Sequence, residues 1–511
     1  MMGGVAQAEV LARLADPALY PQRPSSVDRI DTHTSCVFLA ADRAYKVKRA
    51  VRYSFLDYST LELRRRACEA EVRLNKRTAP RLYQGVTPVT REASGVLALD
   101  GNGDPVEWLV VMRRFPGDAL LDRVATSGGF SRALAIGLAD AIADFHASAV
   151  RAPHQGSADG MRDVLADNTR ALRAAEALPA DLVRAVTAAS DDALERHAAL
   201  IDARRAGGFV RQLHGDLHLR NIVLLDGVPT LFDGIEFNDA FSCIDVWYDL
   251  AFLLMDLLGR GLAVESNLLF NHYLLRTGDV GGLPLLPLFL TTRAAVRAKT
   301  SLASAALEAD PSRRRHFERR ASDYLALAER FTRVQRERLI AIGGLSGSGK
   351  STLAAQLGPL VGGAAGAVVL RSDVLRKVLL HRGLEERLGE EAYTREVTEG
   401  VYRALGVRAA DVLASGTTVI ADATFLSAEF RGDIARVAGR AGVPFTGIWL
   451  EAPADTLESR LRTRVGDASD ATVEVLRSQL SGDTGAQTWA RHDASVPVEE
   501  LARAIVRTLE A

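Results

Sequence analysis

Cysteine is scarce: the 511 residues hold only Cys36, Cys68 and Cys243, far apart and in no metal-ligand spacing. That excludes a disulfide framework and a zinc ribbon. An excess of one charge is also missing. Lys and Arg number 63 against 64 Asp and Glu, a formal charge of -1, which argues against a protein that coats polyanions. Aromatic residues make up 6%, few for a surface that stacks nucleic-acid bases. No long apolar run is present: LAFLLMDLLGRGLA contains Asp256 and Arg260 and is too short and too polar to span a bilayer. The N-terminal MMGGVAQAEVLARLADP lacks the basic and apolar regions of a secretory signal. The expectation is a cytoplasmic, reduced chain of several structural units, 48% hydrophobic and 25% charged, as folded proteins are.

Pattern changes divide what is there. From about 27 to 115, short strand runs (CVFLA, AYKVK, WLVVM) surround one helix, LELRRRACEAEVRLNKR. From about 116 to 335 helical periodicity dominates, with a β interruption at 209–237. A charged helical stretch carrying Tyr324, Leu325, Leu327 and Phe331 then feeds the β-rich LIAIGG, so a seam is expected near 335. After it AVVLR, TTVIAD and FTGIWLE alternate with helical segments, the pattern of a parallel sheet covered on both faces. The expected domains are 1–335 and 336–511.

Gly344-Leu-Ser346-Gly347-Ser348-Gly349-Lys350-Ser351-Thr352 fits G-x-x-x-x-G-K-[ST] between a strand and a helix. Glycines let backbone N–H groups converge on an anion, and the helix N-terminus adds its dipole. Lys350 is expected on the β- and γ-phosphates, Ser351 on Mg2+. The strand TTVIAD ends at Asp422 with no Glu beside it, unlike motor-type ATPases, so a kinase fits better than a hydrolase. Asp422 is a metal candidate. Asp373 can accept a proton from a substrate hydroxyl, and Arg376, one turn later, can hold substrate or phosphate. Arg460 and Arg464 lie four apart, on one helix face, as a lid that neutralises charge during transfer. This segment resembles the small P-loop kinases related to polynucleotide kinase, gluconate kinase and chloramphenicol phosphotransferase, which implies transfer of phosphate from ATP to a hydroxyl.

A second constellation is His214-Gly-Asp216-Leu-His218-Leu-Arg-Asn221. Asp and Asn five apart match the kinase catalytic loop, where Asp takes the hydroxyl proton and Asn binds magnesium. The strand IVLL, the turn Asp226-Gly227 and the return VPTLF lead to Asp233. Such a hairpin brings Asn221 and Asp233 to its open end, where both can share a cation. His214 is read as a brace. The ATP lysine is expected in AYKVKR, as Lys46 or Lys48, paired with Glu71 or Glu69 of the next helix; Lys46 with Glu71 is favoured. Met112 is expected near the adenine edge.

Residues 27–335 are similar to the aminoglycoside phosphotransferase branch of the protein-kinase-like fold. The whole chain resembles a bacterial family of bifunctional phosphotransferase/ATP-binding proteins: an α+β protein-kinase-like domain followed by an α/β P-loop kinase domain. Two departures stand out. Thr32-His-Thr-Ser35 takes the place of a glycine-rich loop, and Asp233 is followed by Gly-Ile-Glu236. The resemblance implies two ATP- and Mg2+-dependent sites, each phosphorylating a small molecule. Competing readings are one active P-loop kinase with a regulatory nucleotide-binding half, and a nucleic-acid end kinase, against which charge and aromatic content speak. Residues 251–330 carry 11 Arg and Lys against 8 Asp and Glu, with Arg293 and Arg297 one turn apart. The acceptor is therefore expected to be neutral or anionic rather than a polycationic drug. The oligomeric state is left open.

Overall fold

The computed structural model describes residues 2–510 apart from 54, 334, 464–468, 483 and 484. By packing, the chain forms two compact units, Met1–Val164 with Ala198–Asp256, and Leu165–His197 with Leu257–Ala511.

The first unit opens with α1 (Met2–Leu14) and a six-stranded antiparallel sheet. Its strands are β1 (Val27–Asp31), β2 (Ser35–Ala40), β3 (Arg43–Lys48), β6 (Tyr83–Arg91), β7 (Leu97–Leu99) and β8 (Asp104–Arg113), in the order β1-β2-β3-β8-β6-β7, and a small hairpin, β4 (Arg52–Tyr53) with β5 (Leu56–Asp57), follows β3. Alternation along β3 sorts its side chains. Tyr45 and Val47 join the core with Phe38, Leu109 and Val10 and Leu14 of α1. Ala44 packs on the other face with Cys68, Val110 and Met112, and Lys46 and Lys48 share that face.

Helix α2 (Leu61–Asn75) starts where the Thr60 hydroxyl accepts a hydrogen bond from Leu63 N–H at 3.2 Å. Its buried residues Arg64, Cys68, Glu71, Leu74 and Asn75 recur at helical spacing. The inward face is thus largely polar, which apolar packing alone does not explain. The chain continues through α3 (Leu121–Thr126), α4 (Arg132–Ser148), α5 (Ala158–Arg173) and α6 (Ala180–Ala206). Strand β9 (Val210–Gln212) pairs with β12 (Cys243–Asp245), and β10 (Ile222–Leu225) pairs with β11 (Val228–Leu231). The β10–β11 turn has φ of 53° at Asp226 and 82° at Gly227, two left-handed residues as a two-residue hairpin requires. Helices α7 (Asp239–Ser242) and α8 (Val246–Gly259) follow.

In the second unit α9 (Ala263–Thr277) precedes α10 (Leu286–Leu307) and α11 (Pro311–Thr332), which pack together. Leu325, Leu327 and Phe331 are buried, and Arg297 lies 5.5 Å over the Tyr324 ring, a helix-to-helix contact. Five parallel strands, β13 (Leu339–Gly344), β14 (Val368–Arg371), β15 (Val419–Asp422), β16 (Phe445–Glu451) and β17 (Ala490–Asp493), form a sheet in the order β14-β15-β13-β16-β17. Its helices are α12 (Lys350–Leu357), α13 (Ser372–Leu379), α14 (Arg395–Ala414), α15 (Ala428–Ala441), α16 (Ala454–Thr463), α17 (Val473–Ser481) and α18 (Val498–Glu510). Ile340, Ile342, Leu353, Ile420, Ile448 and Leu501 sit in one core.

Edge strand β14 is covered by α9. Asn271 Oδ1 accepts from Val369 N–H at 2.7 Å, and its Nδ2 donates to Ala367 O at 3.1 Å. Asn267 Nδ2 donates to Ala365 O and Ala367 O at 2.9 and 3.0 Å. Side-chain amides thus occupy edge groups that would otherwise invite another strand. Among the described residues no helix is long and apolar enough to cross a membrane.

Candidate functional site

In the first unit the polar face of α2 meets β3 and the segment after β11. Lys46 Nζ lies 2.9 Å from Glu71 Oε1 and 2.5 Å from Asp233 Oδ1. Lys48 pairs with the other Glu71 oxygen and with Glu236. Both lysines therefore reach Glu71 and differ in their second partner, while Glu69 is exposed and pairs with Arg65 at 3.1 Å. Burial opposes the charge on Lys46, but the Asp233 and Glu71 carboxylates overcome it and raise its pKa above the lysine range. Burial likewise works against ionised Glu71, and the two ammonium groups hold it below the ordinary carboxylate range. Lys46, Lys48 and Glu71 therefore stay charged at neutral pH.

The hairpin does what its turn requires. Ile222 stands opposite Leu231, and Phe232 N–H donates to Asn221 O at 3.0 Å, so Asn221 and Asp233 emerge at the same open end. Asn221 Nδ2 donates to Asp216 Oδ2 at 2.9 Å and to Asp216 O at 3.0 Å. Its remaining polar atom, Oδ1, is a hard acceptor of the kind Mg2+ takes. Asp233 is left-handed at φ 61°, a conformation that costs energy outside glycine and marks an over-determined site. Its neighbours fix it. Asp233 N–H donates to the Tyr83 hydroxyl at 3.1 Å, Gly234 N–H to Asn75 Oδ1 at 2.7 Å, and Ile235 N–H to His214 O at 2.9 Å. His218 Nε2 lies 3.3 Å from Asp216 Oδ2, and its ring meets Phe252 edge-on.

The brace beneath Asp216 is more than His214. The His214 ring shares a 2.9 Å hydrogen bond with Phe232 O; burial, its largest influence, keeps its pKa below the usual histidine value. The main anchor is Asp249 of α8, fully buried, which accepts from Gly215 N–H at 2.9 Å and His214 N–H at 3.2 Å and contacts His146 Nε2 at 3.2 Å. Two turns on, Asp256 accepts from Leu219 N–H at 3.1 Å. Neither anchor was expected from the sequence. The available signal was two carboxylates seven apart in an otherwise apolar helix.

Met112 is buried on β8 opposite Ala44 and Tyr83, in one apolar cluster with Val223 and Leu225 of the hairpin. Thr32 and Ser35 close the β1–β2 turn on each other: Thr32 Oγ1 donates to Ser35 O and accepts from Ser35 N–H, at 2.9 and 3.0 Å.

In the second unit the phosphate loop joins β13 to α12. Gly344, Gly347 and Gly349 have φ of 140°, 83° and 85°. A Cβ on Gly347 would stand 2.7 Å from Leu457 O, so that position admits only glycine. Lys350 Nζ donates to Leu345 O at 2.9 Å, Ser346 N–H donates to Gln479 Oε1 at 2.9 Å, and Ser348 is buried. Thr352 follows in the first turn of α12, whose opening N–H groups have no partner within the helix. Ser351 Oγ donates to Asp422 Oδ2 at 2.6 Å, and Arg371 Nε lies 3.4 Å from the same oxygen. Burial raises the Asp422 pKa against the pull of Arg371, Lys350 and Ser351. Serine hydroxyl beside carboxylate is a fitting donor set for Mg2+ completed by phosphate and water. Among the described residues no cluster of three or more His, Cys, Asp or Glu could hold a metal by itself.

Asp373 and Arg376 open α13, directly after β14. Arg376 is buried, donates to Ala392 O at 2.6 Å and Thr398 Oγ1 at 3.3 Å, and lies 4.7 Å over the Tyr393 ring. Next to it, buried Lys377 reaches Asp470 at 3.3 Å. Arg460 Nη2 donates to Ala494 O at 2.8 Å, and its Nη1 stands 3.9 Å from a Cβ built on Gly349. The helix α16 thus brings Arg460 to the phosphate loop, whereas Arg464 lies outside the described residues.

Comparison with known proteins agrees with both halves. Residues 40–282 match the family described as "Phosphotransferase enzyme family", and residues 339–482 match one described as "AAA domain". Uncharacterized proteins of Mycobacterium tuberculosis and Mycobacterium bovis are each 30% identical over 485 residues, covering 93% of either chain. The adenylyl-sulfate kinase of Myxococcus xanthus is 36% identical over 142 residues, 28% of this chain and 69% of that one. Among solved structures, a choline/ethanolamine kinase family protein from Mesorhizobium loti covers 63% of this chain and 99% of its own, at 14% identity and TM-score 0.37. The APS kinase CysC of Mycobacterium tuberculosis covers 34% and 99%, at 23% identity and TM-score 0.27. This chain, an ATP-dependent kinase in which an aminoglycoside phosphotransferase-like domain precedes a P-loop kinase domain, belongs to the family of its mycobacterial relatives.

Proposed function

We propose that this is a bifunctional phosphotransferase, in which residues 1–335 and residues 336–511 each transfer the γ-phosphate of ATP to a hydroxyl of a small molecule. In the first half Lys46 grips the phosphates under Glu71, Met112 borders the adenine, and Asp216 accepts the hydroxyl proton. Asn221 and Asp233 would hold Mg2+, which would supply positive charge to offset that of the phosphates. In the second half the loop from Gly344 to Thr352 cradles the phosphates, with Ser351 and Asp422 as cation ligands. Asp373 is the base, Arg376 holds the acceptor, and Arg460 with Arg464 stabilises charge on the moving phosphoryl group.

The observation that carries the reading is Lys46 bridging Glu71 and Asp233 at 2.9 and 2.5 Å in a unit whose Asp216 and Asn221 are also hydrogen-bonded. A half that had become only a regulator has no need of that complete set. Buried Arg376 and Lys377 at the start of α13 support an anionic acceptor for the second half, and the adenylyl-sulfate kinase relative makes adenylyl sulfate the first compound to try. Kanamycin-type drugs are not expected to be turned over.

Titration with a non-hydrolysable ATP analogue tests the reading. Two equivalents should bind, Lys46→Met and Lys350→Ala should each remove one, and Asp216→Asn should abolish one phosphorylation but not the other. Saturation at one equivalent, or full activity in Asp216→Asn, would overturn it.

A further inference from the structure

Lys46 and Lys48 stand two apart on β3, on one face. Asp233 and Glu236 stand three apart in the segment after β11. Glu71 lies between the two lysines, so five side chains of alternating sign form a ladder: Asp233, Lys46, Glu71, Lys48, Glu236. The ladder is uneven. The side chains of Lys48, Glu71 and Glu236 are 3%, 0% and 5% exposed, whereas Asp233 is 42% exposed. The inner end is also tied more firmly. The Tyr58 hydroxyl donates to Glu236 Oε1 at 2.7 Å, the Lys48 ammonium lies 5.4 Å over the Tyr58 ring, and Gln7 of α1 donates to Lys48 O at 2.9 Å.

We propose that Lys48 and Glu236 are positioning residues for the metal ligand Asp233. Their buried pair stays made while Lys46 exchanges Asp233 for a nucleotide phosphate, so Asp233 turns to the cation without its segment moving. Charge makes Lys48 necessary. Without it Glu71 and Glu236 are buried carboxylates with one ammonium in reach, and Lys46 is drawn inward, away from the phosphates. The left-handed Asp233 at φ 61° needs such a segment, because strained backbone persists only where its surroundings over-determine it. Stability alone is a poor reason for the pair, since buried ion pairs are commonly replaceable by apolar side chains.

The proposal rests on the reading of residues 1–335 as a nucleotide site, and the test separates the two. The full chain carrying Lys350→Ala, which silences the phosphate loop, is titrated with AMPPNP with and without Mg2+. The readout is the ratio of the two dissociation constants. Adding Lys48→Met with Glu236→Leu should cut the gain from Mg2+ about tenfold, the usual effect of removing a metal ligand's support, and Lys48→Arg alone should restore most of it. A merely structural pair would weaken binding equally in both conditions and leave the ratio unchanged, which overturns the proposal. Should the double variant not fold, Glu236→Gln, which keeps an oxygen for Tyr58, must also lower the ratio, and an unchanged ratio there overturns it equally. If the Lys350→Ala parent binds no AMPPNP, the nucleotide-site reading fails and the proposal falls with it.

Discussion

Asp249 is the residue whose loss says most about how the catalytic loop is held. Its Oδ1 accepts from Gly215 N–H at 2.9 Å, and its Oδ2 accepts from His214 N–H at 3.2 Å while contacting His146 Nε2 at 3.2 Å. Asp249→Asn keeps the shape but leaves one oxygen, so an amide NH2 must face either Gly215 N–H or the side shared by His214 N–H and His146. Facing Gly215 is cheaper and strands one buried donor. That strand costs about 1–3 kcal/mol, and with the weaker bonds left to a neutral acceptor the total comes to roughly 3 kcal/mol. The loss stays local, because Leu213 N–H still donates to Ser242 O at 2.6 Å and Leu219 N–H to Asp256 at 3.1 Å. Roughly 3 kcal/mol corresponds to an opening equilibrium larger by about 100-fold. Hydrogen exchange at the His214 and Gly215 amides reads this directly, and phosphotransfer by the first half should fall alongside. If Gly215 exchange changes by less than about threefold while the variant remains folded, Asp249 does not anchor the loop as argued.

Three further outcomes are expected. Gly347→Ala places a Cβ 2.7 Å from Leu457 O at a φ of 83°, so calorimetry should show AMPPNP affinity at the phosphate loop reduced at least about tenfold; an unaltered dissociation constant refutes the close approach. Burial pushes the Cys68 thiol from 9.0 up to about 12. The folded chain then keeps a proton that the unfolded chain loses, so this thiol makes stability fall as pH rises above 9.0 toward about 12. Rapid alkylation of native Cys68 at pH 8 would contradict the burial. Asn267→Ala removes both bonds to the carbonyls of Ala365 and Ala367, which should loosen the approach to β14 by about 1–3 kcal/mol. Limited proteolysis near residues 361–367 should accelerate, and an unchanged cleavage rate counts against the clamp.

What the sequence made legible follows from how far each inference had to reach along the chain. The phosphate loop is contiguous, so glycine spacing and a Lys-Ser pair suffice. Asn221 and Asp233 are twelve apart, yet Asp226-Gly227 fixes the turn between them and arithmetic along two strands does the rest. That strands alternate with helices after residue 335, and so pair in parallel, was likewise read from local pattern, whereas their order β14-β15-β13-β16-β17 was not. The Lys46–Glu71 pair spans 25 residues, and there the pattern gave the face and favoured this pair without excluding Lys48 or Glu69. Two lysines on one face are equivalent to a periodicity rule, and only their second partners, Asp233 and Glu236, distinguish them.

Contacts with no local rule between them stayed hidden. Asp249 meets Gly215 across 34 residues, Lys48 meets Glu236 across 188, and Asn267 meets Ala367 across 100. Each nevertheless breaks a local expectation: an acid in an apolar helix, a lysine buried on a strand, an asparagine buried in a helix. Such a residue carries a desolvation cost that some distant group must offset. The violation therefore announces that a partner exists, and only the fold identifies it. That division also explains the seam. The change of pattern at 335 is a property of the chain's local composition. The packing boundary at Asp256 and Leu257 is a property of side chains such as Asn267 and Asn271, whose amides complete the edge of a sheet that begins some seventy residues later.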